Sequence, residues 1–358
     1  MNFVHIADMH FDSPFTTLNS VDNLGDIRRL EQRKIFKKII DFIKENKIEY
    51  FFISGDLYEH EYVRLSTIEY INNLFKEIPD TKVFISPGNH DPYIKDSYYD
   101  NFEFAENVHI FKSGIEKVET PDANIYGMAF NSFNMSNSEI ENFILPISSK
   151  PNVFVVHCDL NGSKDEKGFE YNPISETKLK ALSFDYIAMG HIHKSNFVKG
   201  KENKIVYPGS PISFGFDELG KHGMVVGEIT KGKVLTEFIE LDDREFIEFE
   251  INVEPFSSKE DLVEHIQALN LQENNFYKIV LSGKRNFEID TRELLKLINS
   301  KNIFKIKDIT KSNYNFEEIA KENNLRGIFV KEALKKLKLG EYSEEEIMKA
   351  IEIGLEVM

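Results

Sequence analysis

Five times in the first 193 residues a short apolar run stops abruptly at glycine, asparagine, aspartate or histidine. Phe3-Val4-His5-Ile6-Ala7 ends in Asp8-x-His10, and Tyr50-Phe51-Phe52-Ile53 runs into Gly55-Asp56. Lys82-Val83-Phe84-Ile85 precedes Gly88-Asn89-His90-Asp91, Val153-Phe154-Val155-Val156 precedes His157, and Tyr186-Ile187-Ala188-Met189 precedes Gly190-His191-x-His193. Runs this short, rich in β-branched and aromatic residues and closed by turn formers, read as buried strands that empty into loops. Between the first two runs, Ile27, Leu30, Ile35, Ile39, Ile40 and Ile43 recur at helical spacing over residues 27–45, and residues 64–77 read as a second helix. Strand alternating with helix is an α/β signature. The polar clusters are therefore expected along one edge of a sheet.

Carboxylate, imidazole and amide groups gathered in one place are the ligand inventory of a two-metal hydrolase. Two divalent cations held about 3.5–4 Å apart need a shared carboxylate between them. Asp56, preceded by a glycine that lets the turn close tightly, is the expected bridge. Asp8 and His10 alternate along what reads as an extended segment, which sends both side chains to one side. His191 and His193 repeat that spacing, His157 adds a fourth imidazole, and Asn89 offers a neutral carbonyl oxygen. His90, next to Asn89, is left for acid–base or charge-stabilising work. Asp91 either fixes the His90 ring in one tautomer or makes an ordinary turn with Pro92. Asp12 either orients His10 or starts the loop before Pro14.

In this order the five blocks resemble the calcineurin-like metallophosphoesterase superfamily, whose pattern is D-x-H, G-D, G-N-H-[DE], H and G-H-x-H. The opening Ile6-Ala7-Asp8-Met9-His10-Phe11-Asp12-Ser13-Pro14-Phe15, with Tyr207-Pro208-Gly209-Ser210-Pro211 later, is closer still to the SbcD and YhaO-like DNA-repair exonuclease branch. The resemblance implies a four-layer α/β/β/α sandwich binding two divalent ions, manganese first, with iron and zinc also compatible with the donor set. The ligands it implies are Asp8, His10, Asp56, Asn89, His157, His191 and His193, with His90 and Asp91 in catalytic roles. Archaeal and eukaryotic relatives in this branch have a histidine three residues after the bridging aspartate. Here that position is Glu59, read as a turn cap.

Net charge is −16, which argues against a protein that is cationic throughout but leaves room for a local patch. Eight basic residues against three acidic ones lie between Lys278 and Lys307. They read either as a solvated face or as a basic lip that contacts DNA, with Lys284, Arg285 and Lys305 as the candidate contacts. No apolar stretch approaches the roughly 18 residues of a membrane span, and the N-terminus runs straight into the first strand. A lone cysteine, Cys158, excludes an internal disulfide and fits a reducing, cytoplasmic setting. It reads as a buried thiol on the alternate face of its strand.

The metallophosphoesterase domain is expected over residues 1–243, with strands and glycine turns from about 196 to 240 supplying its second sheet. A β-α-β-α-β unit over 244–311 resembles the small α+β capping domain of the nuclease branch and is a candidate DNA-contacting element. Residues 312–358 read as C-terminal helices that stop at Gly340 and restart at a Ser343/Glu346 capping box. Their stripe of Ile347, Ile351, Leu355 and Met358 either packs on the chain itself or docks a partner. The leading functional expectation is a metal-dependent DNA exo- or endonuclease working in repair with an SMC-like ATPase, with a homodimer as a further candidate assembly. A small-substrate phosphodiesterase of the cyclic-nucleotide type and a DNA-end-binding scaffold subunit are the alternatives.

Overall fold

The computed structural model describes residues 1–15, 24–162 and 164–357. They form two compact units, Met1–Glu245 and Phe246–Met358. In the first unit β1 (Asn2–Ile6), β2 (Tyr50–Ile53), β3 (Lys82–Ile85) and β4 (Val108–Ile110) run parallel, joined by α1 (Leu24–Glu45), α2 (Leu65–Lys76) and the short α3 (Tyr98–Asn101). A second sheet follows from β5 (Glu116–Glu119), β6 (Asn124–Gly127) and β7 (Asn152–His157). After the small pair β8 (Asp159–Leu160) and β9 (Pro173–Ile174), α4 (Glu176–Leu182) leads to β10 (Tyr186–Gly190) and β11 (Ile205–Val206), which complete it. The long hairpin β12 (Gly223–Thr230) and β13 (Lys233–Glu240) closes the unit.

Side-chain parity explains why the strands are apolar on both faces. Val4, Ile6, Phe51, Ile53, Val83 and Ile85 point to one side, where they pack with Ile35, Phe36 and Ile39 of α1 and Ile68 and Ile71 of α2. The alternate residues Phe3, Tyr50, Phe52 and Phe84 meet Ile125, Val153, Val155, Tyr186 and Ala188 of the second sheet. That sheet's far face, with Phe154, Val156, Ile187 and Met189, is covered by Leu179 and Leu182 of α4. Helix, sheet, sheet and helix are the four layers expected of an α/β/β/α sandwich. The expectation fails in one respect, because β12 and β13 do not belong to the second sheet. β12 pairs antiparallel with β1 and extends the first sheet in the order β13-β12-β1-β2-β3-β4. Only β11 from the 196–240 stretch joins the second. The free edge of β1 offers unpaired backbone groups that a nearby hairpin satisfies.

In the second unit, β14 (Phe246–Asn252), β15 (Phe276–Ser282) and β17 (Ile303–Asp308) form a parallel sheet, with α5 (Lys259–Gln267) and α6 (Thr291–Ile298) as the crossovers. A second, two-residue pairing joins β16 (Lys284–Arg285) to β18 (Lys311–Ser312). The short α7 (Phe316–Ile319) precedes α8 (Leu325–Lys338) and α9 (Glu344–Glu356). The capping box at Ser343 and Glu346 forms. Ile347, Ile351 and Leu355 are buried against Ile319 and Val330, so this stripe packs on the chain itself. Met358 lies outside the described residues.

One buried ion pair ties the end of the first unit to its first helix. Arg28, fully buried, donates to both Asp242 oxygens at 2.7 and 3.3 Å and to the Ser213 carbonyl at 2.8 Å. Removing one member of a buried pair strands the other charge. Asp242→Ala is therefore expected to cost about 3 kcal/mol in urea unfolding, the low end for such a loss because Glu31 still reaches Arg28. A change under about 1 kcal/mol, the usual worth of an exposed pair, would show that the pair does not hold this corner.

Candidate metal centre

The loops that follow the five strands do bring the sequence motifs together. Three groups of side chains each place their ligand atoms within 4.8 Å of one another: Asp8, His10 and His193; His10, Asp56 and His90; and Asp8, Asp56 and His157. Asp56 Oδ2 lies 3.3 Å from His157 Nε2 and 3.7 Å from His10 Nε2, while Asn89 Oδ1 lies 2.9 Å from His157 Nε2. Among the described residues His191 belongs to none of the three groups. Its ring packs edge-on to His157 at 5.2 Å, and its backbone N–H donates to both Asp8 oxygens.

The route to this convergence differs from the extended segment read from sequence. Asp8, His10 and Asp56 all take left-handed backbone angles, with φ of 54°, 47° and 51°, and His191 sits at 110°. Such angles are costly for residues with a side chain and persist where the surroundings hold them. The surroundings are visible here. Asp8 N–H donates to the Gly55 carbonyl and His10 N–H to the Asp56 carbonyl, which zips the first loop to the second. Gly55 itself has φ 87°, and a Cβ there would overlap the His157 ring. Gly209 of the Tyr-Pro-Gly-Ser-Pro segment, at φ 78°, lets its turn press against the His193 carbonyl.

The three imidazoles of these groups that face inward, His10, His157 and His193, are fixed from behind. His157 Nδ1 donates to the Ser54 carbonyl at 2.9 Å, His10 Nδ1 to Glu59 at 2.7 Å and His193 Nδ1 to Glu218 at 2.6 Å. With Nδ1 held by its acceptor, Nε2 of each ring turns inward, where it offers a lone pair once any proton on it is displaced, the arrangement by which a metal-ligating histidine is held. His10 Nε2 and His193 Nε2 face each other at 3.0 Å, a gap that a proton or a cation must bridge. Glu59 is thus not a turn cap. Its second oxygen accepts from His90 Nδ1 at 2.9 Å, so one carboxylate sets both rings. Glu218 also accepts from the Phe214 backbone N–H, which locks it in place. Neither carboxylate belongs to a motif; asking what fixes each histidine's outer nitrogen would have flagged the acid three residues after Asp56.

Asp91 and Asp12 also resolve. Asp91 accepts from the backbone N–H groups of Asp56, Leu57 and Gly88 and from the Tyr99 hydroxyl. It pins the two loops together, and Glu59 rather than Asp91 holds the His90 ring. Asp12 accepts from Thr67, Arg33 and the Arg64 backbone N–H, tying the first loop to the start of α2 instead of orienting His10. Cys158 is buried, and burial pushes its thiol up to about 12. In the second unit Lys284 and Lys305 are exposed, whereas Arg285 is paired with Asp308 at 2.9 Å and Lys278 with Glu248 at 2.5 Å.

The electrostatics ask for positive charge. Burial works against charging His157 and His193, yet Asp56 and Asp8 around the one and Glu218 and Asp8 around the other raise both to about 9. Burial likewise opposes charge on His90, which its bond to Glu59 and the nearby Asp56 lift to about 9. Desolvation, with the facing His157, lowers the half-buried His191 to about 3. Hard carboxylate oxygens interleaved with inward imidazole nitrogens fit divalent transition metals, which exchange for those protons.

A model of the calcineurin-like phosphoesterase family matches residues 1–195, more than half of the chain, and the chain belongs to that family. That family hydrolyses phosphoester bonds and uses a dinuclear divalent metal site. Over 247 residues it is 24% identical to the uncharacterized metallophosphoesterase YhaO of Bacillus subtilis, covering 66% of this chain and 60% of that protein. To the DNA double-strand break repair protein Mre11 of Methanopyrus kandleri it is 23% identical over 273 residues, 68% of this chain and 57% of the relative. To the SbcD component of the nuclease SbcCD of Staphylococcus saprophyticus it is 25% identical over 274 residues, 67% and 69% respectively. The match spans about three-fifths of the length of the first two relatives. Among the described residues no helix is long and apolar enough to cross a membrane.

Because metal must displace protons from His157 and His193, binding to chelator-treated protein is linked to pH. Apparent Mn2+ affinity is expected to climb through the neutral range and level off above about 9, where both rings are already neutral. Calorimetry in buffers of different ionisation enthalpy would register the released protons. Affinity independent of pH, with no proton release, would contradict this description of the site.

Proposed function

We propose that the chain is a two-metal phosphodiesterase that cleaves DNA, acting as an exo- or endonuclease in repair beside an SMC-like ATPase. The observation that carries the phosphodiesterase half is the inward convergence of three Nε2 atoms with the Asp8 and Asp56 carboxylates, each ring fixed through Nδ1. We assign Asp8, His10, Asp56, Asn89, His157 and His193 as ligands, with Asp56 shared, and keep His191 as a ligand reached through its contact with His157 and Asp8. Manganese is the first candidate, and iron and zinc suit the same donors. When bound, the two ions supply Lewis-acid charge at the phosphate oxygens and an activated water for in-line attack.

The chain's own residues do the rest. His90 is half-exposed, with Nδ1 held by Glu59 and its backbone N–H on Asp56 Oδ1 at 2.8 Å. Its free Nε2 is placed to give a proton to the leaving oxygen. Asp91 acts as a positioning residue through the loop backbone. DNA as substrate is supported by the nuclease and repair names of two relatives. The second unit, with Lys284, Arg285 and Lys305, is assigned DNA contact, and the helical segment from 312 on is assigned partner docking, including a second copy of the chain. A cytoplasmic setting belongs to the same reading.

The deciding assay compares linear duplex DNA with a small phosphodiester under controlled metal. Both should be cleaved only with added divalent ion, and His90→Ala should lower turnover roughly 100-fold while keeping its metal, as for loss of a positioned acid. Metal lost in step with activity would make His90 a ligand instead. Cleavage of the small diester alone would favour the small-substrate phosphodiesterase.

Asp56→Asn, in the same assay, should abolish hydrolysis and release at least one ion while the far-ultraviolet spectrum stays native. Full activity with both ions retained would remove Asp56 from the centre of the site.

A further inference from the structure

Beside the metal centre the first unit has a cleft of about 550 Å³ that no step of the proposed hydrolysis uses. Its walls include Arg29 and Arg33 of α1, Arg64 at the start of α2, Tyr62, and the carboxylates of Asp12 and Asp26. The volume falls in the range of small-ligand sites. Three guanidinium groups around one cleft, in a chain of net charge −16, are a local reversal of sign.

The arginines are arranged rather than scattered. Arg33 donates to Asp12 at 3.2 Å and to Thr67 at 2.8 Å and lies over the Tyr70 ring, so its plane is set. Its Nε is shielded from solvent, so the guanidinium meets the cleft only through its terminal nitrogens. Arg29 is braced by Asp26 and by the Ser13 carbonyl. Arg64 is exposed, and among the described residues no carboxylate is paired with it. Two carboxylates against three guanidinium groups leave one positive charge in excess. Planar guanidinium forks match phosphate oxygens in geometry as well as charge. Tyr62, 52% exposed, adds a ring face of the kind on which bases stack.

The cleft shares its loops with the metal centre. Asp12 is two residues beyond His10, the Glu59 N–H donates to the Phe11 carbonyl, and the Tyr62 N–H donates to the Glu59 carbonyl. The same backbone that carries His10 and Glu59 therefore continues into the cleft wall.

We propose that this cleft binds another phosphate of the same substrate chain, away from the one being cleaved, through Arg29, Arg33 and Arg64. The assignment rests on the nucleic-acid reading above. It makes the site selective for chains of phosphodiesters over a single small ester, since only a chain can fill both places.

The test compares metal-loaded wild type with the Arg29→Gln/Arg64→Gln double variant. Arg33 is left alone because it braces Asp12. The substrates are bis(4-nitrophenyl) phosphate, which has one phosphate, and single-stranded oligothymidylates of increasing length. In the wild type KM should fall as phosphates are added. In the variant that gain should shrink by on the order of tenfold, the worth of a charge-assisted contact. The salt dependence of oligonucleotide binding should become shallower by about 0.7 per lost contact. Turnover of the small diester should not change, which also reports that the variant is folded. The same length dependence in both proteins would overturn the cleft assignment and leave the nucleic-acid reading standing. Hydrolysis of the small diester with no oligonucleotide cleaved by wild type would instead overturn that reading, and the cleft with it.

Discussion

A buried carboxylate, Asp56, is the constraint on which the rest of the site depends. It is 2% exposed, and an unpaired carboxylate in that position would be strongly disfavoured. Its neighbours answer the charge from every side. Oδ1 accepts the His90 backbone N–H, Oδ2 faces His157 and His10, and the Asp56 N–H is held by Asp91. Burial works against the charge, yet the surrounding imidazoles, His157 foremost, hold Asp56 well below the usual carboxylate range. The left-handed backbone at Asp8, His10 and Asp56 is the conformational cost of aiming so many groups at one point. The sandwich meets that cost by locking both loops to strands that are buried on each face.

Much of this is legible in the chain, because strand ends declare themselves. An apolar run stopped by glycine or aspartate marks both a buried strand and the loop it feeds, so the α/β alternation and the candidate ligands are readable between residues 3 and 193, while the α/β/β/α layering is carried by the family resemblance. What cannot be read lies in pairings between distant segments. Glu218 has no motif, Glu59 is marked only by its spacing from Asp56, and the rings that each one sets are visible only where His10, His90 and His193 face them. The hairpin 223–240 carries the pattern of a strand pair but no mark of which sheet it joins. The basic run from Lys278 to Lys307 looks more cationic in sequence than it is, since Glu248, on the neighbouring strand, and Asp308, just past the window, neutralise Lys278 and Arg285.

Orientation of the histidines is therefore as much a property of the fold as their presence. Ser54, at the end of β2, offers its carbonyl to His157, while its hydroxyl bonds the Ala188 carbonyl of β10 and His5 Nε2. His5, wholly buried between the sheets, bonds Tyr186 through Nδ1, and burial lowers it to about 3. A neutral polar chain thus links both sheets directly beneath the charged cluster. A fully satisfied network of this kind fixes one arrangement of the layers. It also keeps the Ser54 carbonyl, the acceptor for His157, from shifting when the cluster above changes charge.

The most direct measurement of the two-metal centre is anomalous diffraction from crystals grown with Mn2+. Two peaks about 3.5–4 Å apart, with Asp56 between them and Nε2 of His10, His157 and His193 turned toward them, are the predicted result. A single peak, or two peaks that Asp56 does not bridge, would contradict it.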